Sequence, residues 1–190
     1  MRHYCITGGI GTGKSYVCRL LNMMYQLEVY DCDREAKRLM VCSSQIIRGL
    51  KSLIGCDAYR LDGSLNKPVV AEFLLRSDAN KQAVNAVVHP VVIDDFKKSG
   101  LAWMESAILY DAHLENTVDG VIAVTAPLEV RLQRIMQRDG ICREKALEWI
   151  EAQIPQDEVA FRADHIIVND GASPLEPQIE HIMTELGFRR

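Results

Sequence analysis

Apolar and polar positions change their period several times along this chain, and each change marks an element. Met1 to Thr7 (MRHYCIT) holds a short apolar run before a glycine-rich stretch and predicts a buried strand. From Lys14 to about Met24, residues Val17, Leu20, Leu21 and Met24 recur at helical spacing. LEVYDCD, residues 27–33, reads as a second strand ending on two carboxylates, and a long helical stretch follows from Arg34 to about Leu53. GCDAYRLDGSLN is a turn-rich break. Lys67 to about Arg76 predicts a helix with Pro68 in its first turn, where a missing N–H is harmless. The next helix starts from a cap at Ser77 or Asp78 and stops at Gly100, with His89-Pro90 expected to kink or break it.

The second half continues the alternation. LAWMES and DGVIAVTAP predict strands three and four, the latter closed by Pro127. Residues 128–153 predict a helix–turn–helix broken at Asp139-Gly140. DHIIVNDG predicts strand five, and Pro177 to Leu186 a last helix. Strands alternating with helices imply an α/β fold with a parallel five-stranded sheet. Ligands in such folds bind beyond the carboxyl ends of the strands. Here those ends are Thr7–Ser15, Asp31–Asp33, the segments after Ser106 and Thr125, and Asn169.

Composition changes this picture little. The 190 residues suffice for one domain with a sizeable core, and 48% hydrophobic with 25% charged residues is ordinary for a globular protein. A net charge of −4 argues against nucleic-acid or anionic-membrane partners, which attract basic surfaces. Six cysteines occur without a C-x-x-C pair or metal spacing, and we expect reduced thiols and a cytoplasmic location. No leader-like segment precedes Lys14, and no apolar run approaches the ~18 residues of a membrane span.

The glycine-rich stretch supplies the chemistry. Gly8-x-x-x-x-Gly13-Lys14-Ser15 matches the P-loop pattern in full, between a strand and a helix. Its backbone amides, at Gly11, Thr12, Gly13, Lys14, Ser15 and Tyr16, would wrap the phosphates of ATP, although the loop alone does not separate ATP from GTP. Lys14 would add charge at the β- and γ-phosphates, and Ser15 Oγ would coordinate Mg²⁺. If strand two continues through Asp33, Asp31 and Asp33 share one face and can orient an acceptor hydroxyl; alternatively Asp33 caps the following helix. Arg131, Arg134 and Arg138 recur at spacings that share a helical face, either as a lid over transferred phosphate, with Arg138 the first candidate, or as a solvated face paired with Glu129 or Asp139.

Other signals are weaker. His89 can touch a ligand or hydrogen-bond at a helix break. Glu105 ends strand three, near where P-loop proteins keep a Mg²⁺-linked acid, but its alternation can point it elsewhere. Cys32 is dulled by its aspartate neighbours. Trp103 and Trp149 read as core.

Taken in order, these residues resemble the dephospho-coenzyme A kinase family over nearly the whole chain. The family opening GxTGGIGSGKSxV corresponds to ITGGIGTGKSYV at 6–17, its DAD to DCD at 31–33, and its HP to His89-Pro90. Its RxxxRD lid segment corresponds to Arg134–Asp139, its glutamine to Gln153, and its ADxVIxNxG to ADHIIVNDG at 163–171. The resemblance implies ATP- and Mg²⁺-dependent phosphorylation of the 3′-hydroxyl of dephospho-CoA. It implies a P-loop core over 1–33, 101–127 and 160–190, a helical CoA-binding insertion over 34–100, and a helical lid over 128–153. Asp33 takes the place that engages the acceptor hydroxyl, with Asp31 supporting it, Arg138 as a lid arginine near ATP, and Asn169 beside the adenine-side segment. His89 and Asp111 fall on the substrate side. The chain departs from the family at SAILYD (106–111), where PLLFE is usual, and at Tyr16, where threonine is usual. Another P-loop kinase for a small metabolite or nucleoside monophosphate, or a non-catalytic nucleotide sensor, shares parts of this pattern. The oligomeric state is left open.

Overall fold

The structure, a computed structural model, describes residues 1–189. Two compact units emerge: Met1–Tyr30 with Leu101–Arg190, and Asp31–Gly100. Within the first lies a five-stranded parallel sheet with flanking helices. Its strands are β1 (Tyr4–Thr7), β2 (Val29–Asp31), β3 (Trp103–Glu105), β4 (Gly120–Thr125) and β5 (His165–Val168), ordered β2-β3-β1-β4-β5. Central β1 pairs in register with β3 through Cys5 and Met104, and with β4 through Cys5 and Val121.

Alternation on the central strands decides which residues meet which helices. Tyr4 and Ile6 point to one face, where they pack with Trp103, Ile122, Val124 and Ile167. Helices α1 (Lys14–Tyr25) and α9 (Leu175–Glu185) close that face with Val17, Leu20, Leu21, Ile179, Ile182 and Met183. Tyr4 stacks on Trp103 at 4.8 Å between centroids, and Phe188 meets both rings edgewise or tilted. A second apolar cluster joins α6 (Leu128–Asp139) to α7 (Arg143–Glu151) through Leu132, Ile135 and Ala146, and Ile10 packs against it. Gly140 in the left-handed region ends α6, as its position after Asp139 predicts.

The unit Asp31–Gly100 is helical. It contains α2 (Cys32–Cys42), α3 (Ser44–Ile54), α4 (Lys67–Arg76) and α5 (Asp78–Ser99). Several expectations are corrected here. The stretch from Arg34 to Leu53 is two helices, because Ser43 is extended and its hydroxyl oxygen accepts from Ile46 N at the start of α3. α5 runs unbroken through His89-Pro90. Pro90 removes one helical donor, but buried Val84, Val88, Val92, Ile93 and Phe96 outweigh the roughly 3 kcal/mol such a proline costs. Strand two stops at Asp31, so Asp31 and Asp33 do not share a strand face.

In the first unit, Trp103 is core as read, whereas Trp149 is exposed on α7. α8 (Gln156–Arg162) was not foreseen. No helix among the described residues is long and apolar enough to cross a membrane.

Candidate active site

β1 delivers the chain into the phosphate loop at its carboxyl end, and α1 begins at Lys14. Gly13, with φ of 93°, is the N-cap; a side chain there would run into Asn169 Nδ2 as well as being strained. Two loop carbonyls, those of Gly11 and Thr12, are tied to other elements. Asn169, buried at the end of β5, donates from Nδ2 to Thr12 O at 2.8 Å. Arg134 of α6 donates from Nη1 to Gly11 O and Thr12 O at 3.3 and 3.2 Å, and from Nη2 to Asn169 Oδ1 at 3.0 Å. Two of the amides expected to face phosphate are engaged within the loop: Thr12 N donates to Gly9 O at 3.4 Å and Tyr16 N to Gly13 O at 3.0 Å. The N-terminus of α1, at Lys14, still gives the loop the positive end of a helix, which suits an anion. Lys14 is buried, with its ammonium donating to Gly9 O at 3.2 Å, so its charge lies along the same loop.

Oxygen donors suited to a hard cation sit beside the loop. Ser15 Oγ donates to Glu105 Oε1 at 3.1 Å, and Cys18 Sγ reaches Glu105 Oε2 at 3.5 Å. The last residue of β3 therefore points toward α1, which resolves the open question of its direction. Among the described residues no cluster of three or more His, Cys, Asp or Glu forms a metal cage. Mg²⁺ keeps waters and nucleotide oxygens, so a serine hydroxyl with one nearby carboxylate fits it.

The other lid arginine behaves differently. Arg138 is 60% exposed in its side chain and forks onto Asp139, with Nη2 to Oδ2 at 2.7 Å. Glu129 pairs instead with Arg143. Of the three arginines expected on one face, Arg131 and Arg134 meet the loop and Arg138 does not, in the geometry described. Tyr16 is exposed, with the Arg19 guanidinium over its ring.

After β3, the chain buries two hydroxyls without hydrogen-bond partners, Ser106 Oγ and Tyr110 OH. Burial pushes the Tyr110 phenol up to about 12, against a smaller opposing effect of the Arg162 guanidinium, which lies 4.0 Å over its ring. Asp111 is solvent-exposed on one side, yet desolvation of its carboxyl raises its pKa.

The sequence is matched by the family profile described as dephospho-CoA kinase over residues 3–174. The chain belongs to the dephospho-CoA kinase family. A dephospho-CoA kinase of Bacteroides fragilis is 36% identical over 188 residues, covering 95% of this chain and 91% of that one. One from Chlorobaculum tepidum is 33% identical over 195 residues, covering 95% and 93%. A crystal structure from Thermus thermophilus superposes with a TM-score of 0.80 at 30% identity, covering 98% of this chain and 96% of that one. A Campylobacter jejuni dephospho-CoA kinase shares the fold at a TM-score of 0.64 and 19% identity, covering 97% and 96%.

The chain is thus a kinase, a nucleotide-binding phosphotransferase of coenzyme A biosynthesis. The remaining residues expected in the site lie on the helical unit. Asp31 caps α2, its Oδ1 accepting from Arg34 N at 2.9 Å, so the cap falls to Asp31 and not to Asp33. Asp33 stands exposed in the first turn of α2, and among the described residues its carboxylate has no hydrogen bond or ion pair. His89 is half-buried on α5, and burial lowers its pKa, so it is neutral near pH 7. Arg131, Arg134 and Gln153 contact the loop; the shared helical face of the arginines and the family's RxxxRD segment and glutamine marked these positions, but not the loop backbone as what they hold.

Proposed function

We propose that this kinase phosphorylates the 3′-hydroxyl of dephospho-CoA with ATP and Mg²⁺ to give CoA. The observation that carries the reading is the glycine loop, held by Arg134 and Asn169 through its Gly11 and Thr12 carbonyls, beside the Ser15–Glu105 pair. The family supports the acceptor, and its relatives are named for it. Amides of Gly11, Gly13, Lys14 and Ser15 hold the donor phosphates, with Lys14 neutralising charge between β- and γ-oxygens. Ser15 and Glu105 hold the cation, which when bound screens the donor oxygens. Asp33 orients the acceptor hydroxyl and takes its proton late, since an ordinary aspartate (pKa near ~3.9) is too weak a base to remove it early. Asp31, His89 and Asp111 belong to the CoA side: Asp31 at the end of β2, His89 in the helical region 34–100 and Asp111 after β3. Residues 128–153 serve as the lid, with Arg138 exposed and able to re-pair with phosphate on closure. The free thiols support a reducing, cytoplasmic location.

The test is purified chain with ATP, Mg²⁺ and dephospho-CoA, with CoA formation followed by mass. Folded protein that binds ATP and yields no CoA would overturn the acceptor assignment.

A further inference from the structure

The α6–α7 hairpin holds the donor loop at one residue, Ile10, through three separate contacts. Arg131 Nε donates to Ile10 O at 2.9 Å. Ile10 N donates to Gln153 Oε1, just past α7, at 2.7 Å. The Ile10 side chain packs against the Leu132, Ile135 and Ala146 cluster. Its own amide is therefore turned away from the phosphates, and the amides that hold them start one residue later.

Arg131 has an unusual situation for a cation. It is 5% exposed, burial lowers its pKa, and among the described residues no carboxylate pairs with it. A guanidinium does not deprotonate near neutrality, so its charge stays in place. It lies directly behind the loop: a side chain at Gly9 would collide with Arg131 Nη2 and come within 3.1 Å of Gln153 Oε1. A buried charge without a counterion is costly unless an anion completes it. The loop in front of Arg131 is where an anion is received.

We infer that Arg131 and Gln153 are positioning residues for the phosphate donor, fixing the loop through Ile10 while Arg131 adds a buried positive field to it. This rests on the reading that the loop binds nucleotide phosphates, but not on the identity of the acceptor. It makes the base of the expected lid a fixed brace for the loop.

The test uses MgADP binding by calorimetry, beside steady-state kinetics, on the full chain. Arg131→Met and Gln153→Ala are each expected to weaken MgADP about tenfold, the size of a lost hydrogen bond involving charge or a buried amide. KM for ATP should rise while KM for dephospho-CoA stays within about twofold. Arg131→Lys, which keeps the charge without the Nε fork, should recover part of the loss. Gln153→Glu keeps the acceptor for Ile10 N but neutralises Arg131, and should still weaken MgADP. Should Arg131→Met fail to fold, the two Gln153 variants decide. MgADP affinity within twofold of wild type in the folded variants, or equal changes in both KM values, would overturn the inference. Wild-type protein that does not bind MgADP would instead overturn the nucleotide reading itself.

Discussion

At the residue scale, Asp31 and Asp33 differ in what already holds them. Asp33 is exposed and unengaged in the first turn of α2, whereas Asp31 is committed to capping that helix. An uncommitted carboxylate can meet an incoming hydroxyl; a capping one loses helix stability if it does. Asp33→Asn should lower kcat by about 10²-fold or more, the usual contribution of a positioned proton acceptor, with MgADP affinity unchanged. Near-full activity would remove Asp33 from that role. Glu105 lies beside Ser15, on the proposed donor side. Glu105→Gln keeps the bond to Ser15 Oγ within reach but deletes the charge beside the cation. We expect the Mg²⁺ concentration for half-maximal rate to rise by about tenfold, with the rate restored at high Mg²⁺. An unchanged Mg²⁺ requirement would place the cation elsewhere.

At the scale of elements, α5 has a built-in response to acid. His89 is half-buried, and burial holds its folded pKa below the usual 6.5. Between those two values the unfolded chain binds the extra proton, so the contribution of His89 to stability is complete above about 6.5. It is lost as the pH falls through the folded value. The melting temperature of wild type should therefore drop between pH 7.5 and 5.5, and His89→Gln should show a shallower drop. Equal slopes would mean that other groups carry the acid sensitivity. The same helix shows where sequence reading stops. Pro90 is a breaker by local rules, but five buried apolar side chains along α5 hold the helix together, and tertiary burial has no local signature. The strand expected through Asp33 ends early because Asp31 is a better cap than a strand residue, a choice between two local states that the DCD triplet leaves open. α8 is seven residues with only Val159 buried, too short to show a period. By contrast, α1, α4 and the α6–α7 hairpin were legible from spacing, Pro68 and Gly140. In the candidate site, the loop Gly11 to Ser15 stands out in the sequence because phosphate wrapping demands glycine and lysine at fixed spacing. Arg131 and Arg134 donate to loop carbonyls and Gln153 accepts from the Ile10 amide, and a contact to backbone does not announce its target in the sequence.

For the whole molecule, the proposed donor and acceptor roles, set on the two units, predict a separate signature for each substrate. The phosphate loop, Ser15, Glu105, Asn169 and Arg134 all lie in Met1–Tyr30 with Leu101–Arg190, whereas Asp31, Asp33 and His89 lie in Asp31–Gly100. A ligand that binds only the native state stabilises it by RT ln(1 + [L]/Kd), about 2.7 kcal/mol at a hundredfold excess over Kd, and it slows exchange most where local opening must break its contacts. Hydrogen exchange read by mass spectrometry can then be run with each ligand alone. MgADP should protect 8–17 and the peptides carrying Glu105, Arg134 and Asn169, leaving α2 and α5 near their unliganded rates. Dephospho-CoA should protect α2 and α5 and the segment 106–111, with a smaller effect on the loop. Protection of α2 and α5 by MgADP to the same extent as the loop would break the assignment of donor and acceptor to separate units. Protection by dephospho-CoA confined to the first unit would move the acceptor away from Asp33, and the roles given to both aspartates would fall with it.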